Sequence, residues 1–289
     1  MARILAGLGS PHAPAVGAAV DRHDEQSAYW KPLFDGFVPM RAWLERVRPD
    51  TIILFSNDHF TSFFLDVIPM FAIGAAAEHE IADEGWGKRP LPPVPGDTAF
   101  AQHLACSIAA DGFDPAVCHR LPLDHGCLSP LSALLPWTPR WPARVIPILV
   151  NVLHFPIPTP ARCYALGRAV RRAVASYPQD RRVVVLGTGG LSHQLTGERY
   201  GFINPQWDAE FLDRLESDPD SLAALDHRQL IERGGTESVE VILWLCMRGA
   251  LSRQVRRVHR NYYHATLTGY AQVLFEDTEG ATTGAGAQR

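Results

Sequence analysis

Short apolar runs alternate with amphipathic helical patterns along most of this 289-residue chain, and this alternation constrains its fold most strongly. Short apolar runs bounded by turn residues are typical of buried strands. They predict strands at Arg3–Gly9, Thr51–Ser56, Phe64–Ile73, Val145–Val152, Arg182–Gly187 and Leu267–Phe275. Helical periodicity and capping residues predict helices at Phe37–Arg48, Thr98–Ala110, Pro160–Ser176, Trp207–Glu216, Ser221–Leu225 and Glu237–Arg248. The chain is therefore predicted to be an α/β protein with a mostly parallel or mixed central sheet covered by helices on both faces.

Length and composition indicate one compact domain over residues 1–279, followed by a small, polar and disordered tail over residues 280–289. A net charge of −4 gives no electrostatic reason to expect binding to nucleic acid or to a membrane surface. The five cysteines contain no CxxC pair, so neither a disulfide framework nor a thiolate zinc site is expected. No run reaches transmembrane length and no signal-peptide pattern is present, so the predicted location is the cytoplasm.

Polar residues follow several of the predicted strands or interrupt apolar runs. His12 and His59 follow the first two strands, and His193 follows a glycine-rich turn after another. Glu240 lies within the apolar run 239–245, where a carboxylate is costly unless a metal, a cation or a proton neutralises it. Two histidines and a carboxylate form the ligand set of non-heme Fe(II) oxygenases, and a remaining histidine can do acid–base work. Strand ends of an α/β sheet converge on one edge, where small molecules bind.

Each of these residues also has a simpler interpretation. His12 and His59 are equally typical of ordinary loop residues after strands. Glu237 competes with Glu240, although its place near the start of a helix suits stabilisation of the helix dipole. The glycines of residues 187–190 lack the spacing of a nucleotide-binding loop, and they are interpreted as a turn that places His193. Asp58 either orients the imidazole of His59 or caps a turn.

Several motifs occur together and in order, and they carry a family resemblance. They are Ser10–Pro14, Asn57–His59, Ala82–Gly87, Asp124–Cys127, Gly187–Gln194, Val239–Trp244 and Met247–Leu251. With them the chain, from its first strand to about Phe275, resembles the class III extradiol ring-cleaving dioxygenases, in particular the catalytic β subunits of the protocatechuate 4,5-dioxygenase type. The resemblance implies that His12, His59 and Glu240 bind iron, that His193 is the catalytic base and that His125 is a second histidine of the pocket.

The implied reaction is the Fe(II)-dependent opening of an aromatic diol by O2, beside the two hydroxyls, in the catabolism of aromatic compounds. Protocatechuate is the first choice of substrate, followed by gallate, methylgallate and a dihydroxypyridine. Asn57, Thr266 and Thr268 are predicted to contact the substrate, with His264 as a further candidate. The segment around the two threonines is shorter than the corresponding segment of the family. This difference counts against recognition of a ring carboxylate.

The resemblance also implies assembly, either as a homodimer or with a separate small α subunit that helps to close the site. The aromatic stretch Tyr29–Phe34 is a candidate contact surface, and its alternative role is packing over the chain's own pocket. Two rival functions use the same residues. A zinc hydrolase would use metal-bound hydroxide as its nucleophile, and a non-catalytic binding protein would have no need of the full set of three histidines and Glu240.

Overall fold

A computed structural model describes residues 1–265 and 267–281 of the chain. Its strands are β1 (Arg3–Ser10), β2 (Thr51–Ser56), β3 (Phe71–Gly74), β4 (Glu78–His79), β5 (Val94–Pro95), β6 (Ala116–Cys118), β7 (Arg144–Val150), β8 (Arg182–Thr188), β9 (Val255–Ala265) and β10 (Thr268–Asp277). Its α-helices are α1 (Pro14–Asp21), α2 (Lys31–Val47), α3 (Thr98–Ala110), α4 (His125–Leu134), α5 (Pro160–Ser176), α6 (Pro205–Ser217), α7 (Pro219–Ala223), α8 (His227–Gly234), α9 (Val241–Gly249) and α10 (Thr278–Ala281). A 3-10 helix, Glu237–Glu240, leads directly into α9.

The main sheet has eight strands in the order β6-β3-β7-β2-β8-β1-β10-β9. Strands β7, β2, β8 and β1 run parallel to one another at its centre, while β10 pairs antiparallel with β1 and β9. The sheet is therefore mixed, as predicted. Because β8 lies between β1 and β2, the loops that follow these three strands emerge side by side at one edge of the sheet.

Alternate residues of the central strands pack into two separate hydrophobic clusters, because successive strand side chains point to opposite faces. Ile53 and Phe55 join the cluster that contains residues of α3, α5 and α9. Ile52 and Leu54 join the cluster that contains residues of α1, α2 and α4. The prediction of a single domain with helices on both faces of the sheet is thus confirmed.

The predicted strand over residues 64–73 is wrong for most of its length, because only Phe71–Gly74 forms a strand. The carboxylate of Asp58 accepts hydrogen bonds from the backbone N–H groups of Thr61, Ser62 and Phe63. This cap folds the segment after β2 into a turn and leaves Phe64 and Leu65 exposed. Of the two interpretations of Asp58, the structure therefore shows the cap.

The aromatic stretch 29–34 is not an open contact surface. Trp30, Leu33 and Phe34 are buried in the cluster that contains α1, α2 and α4, and Tyr29 alone among the aromatic residues of the stretch is exposed. Of its two interpretations, an open contact surface is therefore wrong for Trp30, Leu33 and Phe34, which pack within the chain itself. Within residues 1–265 and 267–281, no helix is both long and apolar enough to cross a lipid bilayer. The predicted tail lies outside the described residues from position 282 onward.

Candidate metal centre

The loops after β1 and β2 bring two histidines to one carboxylate at the C-terminal edge of the sheet. His12 follows β1, His59 follows β2, and Glu240 ends the 3-10 helix that precedes α9. One ligand atom from each of the three residues lies within 4.8 Å of the others. The crevice outside the carboxyl ends of parallel strands is where α/β sheets bind ligands. The three residues predicted to bind a metal are therefore brought together.

A sharp turn after β8 anchors the carboxylate of Glu240. The backbone N–H of Gly190 donates a hydrogen bond to Glu240 Oε2 at 2.9 Å. Gly189 has a φ of +124°, and a Cβ atom there would lie 2.9 Å from the Cβ of Glu240. Only glycine combines this backbone conformation with so close an approach. The glycine-rich turn thus holds the carboxylate as well as leading to His193.

The orientation of His12 is set by Thr188, the last residue of β8. The Thr188 hydroxyl donates to the carbonyl oxygen of Phe55 at 3.0 Å and lies 3.0 Å from His12 Nδ1. Because its one proton is already donated, this hydroxyl accepts from the Nδ1–H of His12. When the ring is neutral, the lone pair of His12 is then on Nε2, which lies 3.2 Å from Glu240 Oε2.

His59 is oriented by the carboxylate of Asp124. Asp124 Oδ2 accepts the backbone N–H of His59 at 2.8 Å and its Nδ1–H at 3.1 Å. The other oxygen caps α4 by accepting the N–H of Gly126 at 2.9 Å. Asn57 Nδ2 lies 3.0 Å from His59 Nε2 and donates to its lone pair, so a metal ion bound at this nitrogen would take the place of the Asn57 amide. A metal ligand needs this lone pair, so both histidines present the nitrogen that the prediction requires.

His125 and His193 are also oriented by a hydrogen bond from Nδ1–H to a nearby oxygen atom. The Nδ1–H of His193 donates to the carbonyl oxygen of Leu191 at 2.9 Å, and that of His125 donates to Glu84. His193 Nε2 lies 3.7 Å from Glu240 Oε2, and the ring centroid of His125 lies 3.8 Å from that of His59. The structure thus brings His12, His59 and His193 to Glu240, with His125 beside the ring of His59.

Two carboxylates of the site are held ionised. Burial by itself raises the pKa of Glu240, but the positive charge and hydrogen bond of His12 outweigh burial and hold the pKa well below its usual range. Burial likewise raises the pKa of Asp124, and the charge and hydrogen bonds of His59 lower it further than burial raises it. In the metal-free site the protonated ring of His12 supplies this positive charge, and a divalent cation bound to Glu240 and to deprotonated imidazoles would supply it instead.

One distance between candidate ligand atoms also fits a bound metal ion. Ligand atoms about 2.0–2.2 Å from one ion and at right angles lie about 3 Å apart. The 3.2 Å between His12 Nε2 and Glu240 Oε2 agrees with this separation. A second set of ligand atoms, from His59, Asp124 and His125, is equally compact. There, however, Asp124 already accepts the Nδ1–H of His59, which makes it an orienting partner.

Other predicted residues lie at different distances from this centre. Thr268 forms an isolated bridge with His193 and is nearly buried, whereas Thr266 lies outside the described residues. His264 is exposed on β9. Glu237 accepts the N–H of Leu195 at 3.0 Å, so its carboxylate serves a neighbouring loop and is absent from both clusters of candidate ligands found in the described residues.

The orienting roles of Glu84 and Thr188 were not anticipated from the sequence. Both residues lie within stretches that carry the family resemblance, and Glu84 is an acidic residue followed by glycine. Their hydrogen bonds to the histidines span 41 and 176 positions of the chain. Position within a shared motif is therefore the one sequence signal that could have identified them.

Comparison with known proteins gives a consistent picture. The family described as the catalytic LigB subunit of aromatic ring-opening dioxygenase matches residues 6–275. A gallate dioxygenase of Pseudomonas putida strain KT2440 is 50% identical over 201 residues, which cover 70% of this chain and 59% of that protein. A 2,3-dihydroxyphenylpropionate/2,3-dihydroxicinnamic acid 1,2-dioxygenase of Pseudomonas putida is 34% identical over 257 residues, covering 73% of this chain and 79% of that protein.

The chain thus spans 59% of the length of the gallate dioxygenase and a larger share of the second relative. Among solved structures, the uncharacterized protein JW3007 from Escherichia coli K12 matches with a TM-score of 0.55. The match covers 93% of this chain and 99% of that chain at 15% identity, and at this identity it shows the fold alone.

Proposed function

The chain belongs to the family of LigB catalytic subunits of aromatic ring-opening dioxygenases, and we propose that it opens a catechol-type aromatic diol beside its two hydroxyls, with O2 and Fe(II). The observation that carries the proposal is the buried carboxylate of Glu240, facing the Nε2 atom of His12 with His59 in the same cluster. Two histidines and one carboxylate with open positions form the ligand set of non-heme Fe(II) oxygenases. When bound, the iron lowers the pKa of the diol hydroxyls and aligns the diol with O2.

The residues of the chain then position the substrate and move a proton. His193 keeps its Nδ1–H on Leu191, so its Nε2 is the atom that accepts a proton from a diol hydroxyl. Its burial keeps bulk water from competing for that proton. His125, beside His59, is placed to stabilise negative charge that develops on a substrate oxygen.

Gallate and protocatechuate are the leading substrates. The sequence favours protocatechuate, whereas the relative with 50% identity is named gallate dioxygenase, which favours gallate. Methylgallate and a dihydroxypyridine follow them. Asn57 and Thr268 are proposed to contact the substrate, as is Thr266, which the structure does not describe. In support, Thr268 adjoins His193, and Asn57 Oδ1 is buried with no hydrogen-bond partner among the described residues.

The test is metal analysis of anaerobically purified protein, followed by oxygen uptake with gallate, protocatechuate, methylgallate, a dihydroxypyridine and 2,3-dihydroxyphenylpropionate. We expect iron to restore uptake with at least one of these diols. Zinc-dependent hydrolysis without oxygen uptake would show the rival hydrolase. Binding of a diol with neither reaction would show a non-catalytic protein.

Matched variants test the residue roles. Glu240→Gln should lose metal and activity together, whereas Glu237→Gln should keep both, because Glu237 accepts from the Leu195 N–H. Normal iron content in Glu240→Gln would overturn the ligand assignment. His193→Phe should keep the metal and lose turnover by about 10²–10⁴-fold, the usual contribution of a general base. Loss of iron from that variant would instead make His193 a ligand.

Assembly is proposed either as a homodimer or with a separate small subunit. Exposed apolar side chains on loops at the C-terminal edge of the sheet support a partner there, because large apolar patches mark interaction sites. They include Phe60, Phe64, Phe155 and Tyr200, which follow β2, β7 and β8. Light scattering of the purified chain, with turnover measured on the same sample, is the test, and a fully active monomer would rule out both assemblies.

The cytoplasmic location is also proposed, and the five free cysteines support it.

A further inference from the structure

The carboxylate of Glu84 holds His125 at two points. Glu84 Oε1 accepts the backbone N–H of His125 at 2.9 Å, and Oε2 accepts its ring Nδ1–H. The Glu84 side chain is only 7% exposed. We propose that Glu84 is a positioning residue that fixes the imidazole of His125 against the substrate pocket. The role of His125 in turnover rests on the proposed function, whereas its orientation by Glu84 does not.

Hydrogen bonds and two glycines fix the conformation of the loop that carries Glu84. Asp83 Oδ1 accepts the backbone N–H groups of Gly85 at 2.9 Å and Gly87 at 3.0 Å. Both glycines have a φ of +92°, a conformation that other residues rarely adopt. The preceding segment pairs with the segment before His125, since the N–H of Ala82 donates to the carbonyl oxygen of Leu123 at 2.9 Å. Backbone hydrogen bonds therefore join the two segments directly.

The two donors of His125 explain why a carboxylate is needed at position 84. A carboxylate offers acceptors on both oxygens, so it satisfies the backbone N–H and the ring N–H together. A glutamine of the same shape offers one acceptor, and its amide N–H₂ group must face the other donor. Burying a carboxylate is costly, and the cost is offset here by hydrogen bonds to one residue, which ties Glu84 specifically to His125.

The consequence is a fixed ring that presents Nε2 away from Glu84. The ring lies 3.8 Å from that of His59, centroid to centroid, at an interplanar angle of 32°. His59 is held in the same way by Asp124, the residue that precedes His125. Two neighbouring imidazoles are thus fixed by two different carboxylates, Asp124 before α4 and Glu84 in the loop after β4. Glu84 itself is absent from the candidate ligand clusters of residues 1–265 and 267–281, so its effect on the metal is expected to be small.

The first experiment measures the orientation without metal or substrate. Proton NMR of the metal-free protein should show a downfield, hydrogen-bonded imidazole N–H, assigned to His125 by its absence in His125→Phe. We expect Glu84→Gln to lose or strongly shift this resonance. The matched control is Glu80→Gln, which removes an exposed carboxylate from the same segment, where it pairs with Arg120 at 3.7 Å. An unchanged resonance in Glu84→Gln, or an equal change in Glu80→Gln, would overturn the proposal.

The second experiment is a double-mutant cycle on the metal-loaded protein. Glu84→Gln should keep its metal and lower kcat/KM by about 10–100-fold, as loss of a group that orients a functional histidine does. In a His125→Phe background the same substitution should have no further effect, because Glu84 acts through that ring. Equal losses in both backgrounds would refute the positioning role. If the wild-type chain lacked oxygenase activity while the NMR result held, the proposed function alone would fail.

Discussion

The substitution Asp124→Asn tests whether one carboxylate sets the metal affinity of the site through His59. Asp124 accepts three N–H groups, two from His59 on Oδ2 and one from Gly126 on Oδ1. Asparagine has nearly the same shape but one acceptor oxygen. If this oxygen caps Gly126, the amide N–H₂ faces both donors of His59. Asparagine caps helices about as well as aspartate, so this arrangement should prevail.

The magnitude follows from the donors that lose their acceptor. A buried donor left without a partner costs about 1–3 kcal/mol. Loss of a group that orients a metal-binding histidine typically weakens metal affinity about 10–100-fold. At about 1.4 kcal/mol for each factor of ten, this corresponds to about 1.4–2.8 kcal/mol. We therefore expect Asp124→Asn to bind Fe(II) about 10–100-fold more weakly. The free energy of unfolding of the metal-free protein should fall by about 1–3 kcal/mol for each His59 donor left without an acceptor.

Anaerobic competition with a chromophoric chelator measures the affinity, and urea unfolding of the metal-free protein measures the stability. The control is Asp226→Asn, which alters a cap of α8 that accepts from the backbone N–H of Gln229 at 2.7 Å. It should leave Fe(II) affinity unchanged. Unaltered affinity in Asp124→Asn would refute the orienting role. Equal weakening in both variants would assign the effect to helix capping in general.

Two further predictions concern the turn after β8 and the pH dependence of folding. Gly189→Ala should destabilise the protein and impair metal binding, because Gly189 has a positive φ and the added Cβ would meet Glu240. The control is Gly112→Ala, where φ is also positive but no atom lies within 4 Å of the added Cβ. It should lower the free energy of unfolding and leave metal binding unchanged. Urea unfolding and metal titration of both variants would check this, and intact metal binding in Gly189→Ala would contradict it. Burial lowers the pKa of His79 from 6.5, although its hydrogen bond to Leu121 opposes the shift, so the unfolded chain takes up a proton that the folded chain resists. The free energy of unfolding should therefore fall as the pH drops below 6.5, and it should fall less in His79→Gln. Urea unfolding between about pH 7.5 and 5.5 measures this dependence. The same change of unfolding free energy with pH in the wild type and in His79→Gln would count against the prediction.

The sequence alone identifies the centre of the fold and the candidate ligands. Strand β2 and helices α3 and α5 have the bounds that were predicted, because long apolar or amphipathic patterns are strong signals. His12 and His59 could be found because they follow buried strands whose carboxyl ends share one edge. Glu240 could be found because its sequence neighbours are apolar, so that an ionised carboxylate there needs a partner.

Other elements gave no such signal. Strand β9 lies at the edge of the sheet and is only partly buried, so arginines such as Arg256 and Arg257 replace the apolar run expected of a strand. Helix α4 is buried along its whole length and contains Pro130, which hides helical periodicity. The hydrogen bonds of Asp124 and Glu84 to the histidines join residues 65 and 41 positions apart. Such pairings depend on the tertiary fold and cannot be read from local pattern.

The two nitrogens of each imidazole distinguish the roles of the neighbouring carboxylates. Glu240 Oε2 faces the Nε2 atoms of His12 and His193, where the lone pairs lie when Nδ1 carries the proton. Asp124 instead faces Nδ1 of His59, the nitrogen whose proton it accepts. A cation attracted by Glu240 therefore meets lone pairs, whereas a cation beside Asp124 would have to displace a proton. This asymmetry supports our proposal that Glu240 is a ligand and Asp124 an orienting partner, although both are buried carboxylates beside histidines.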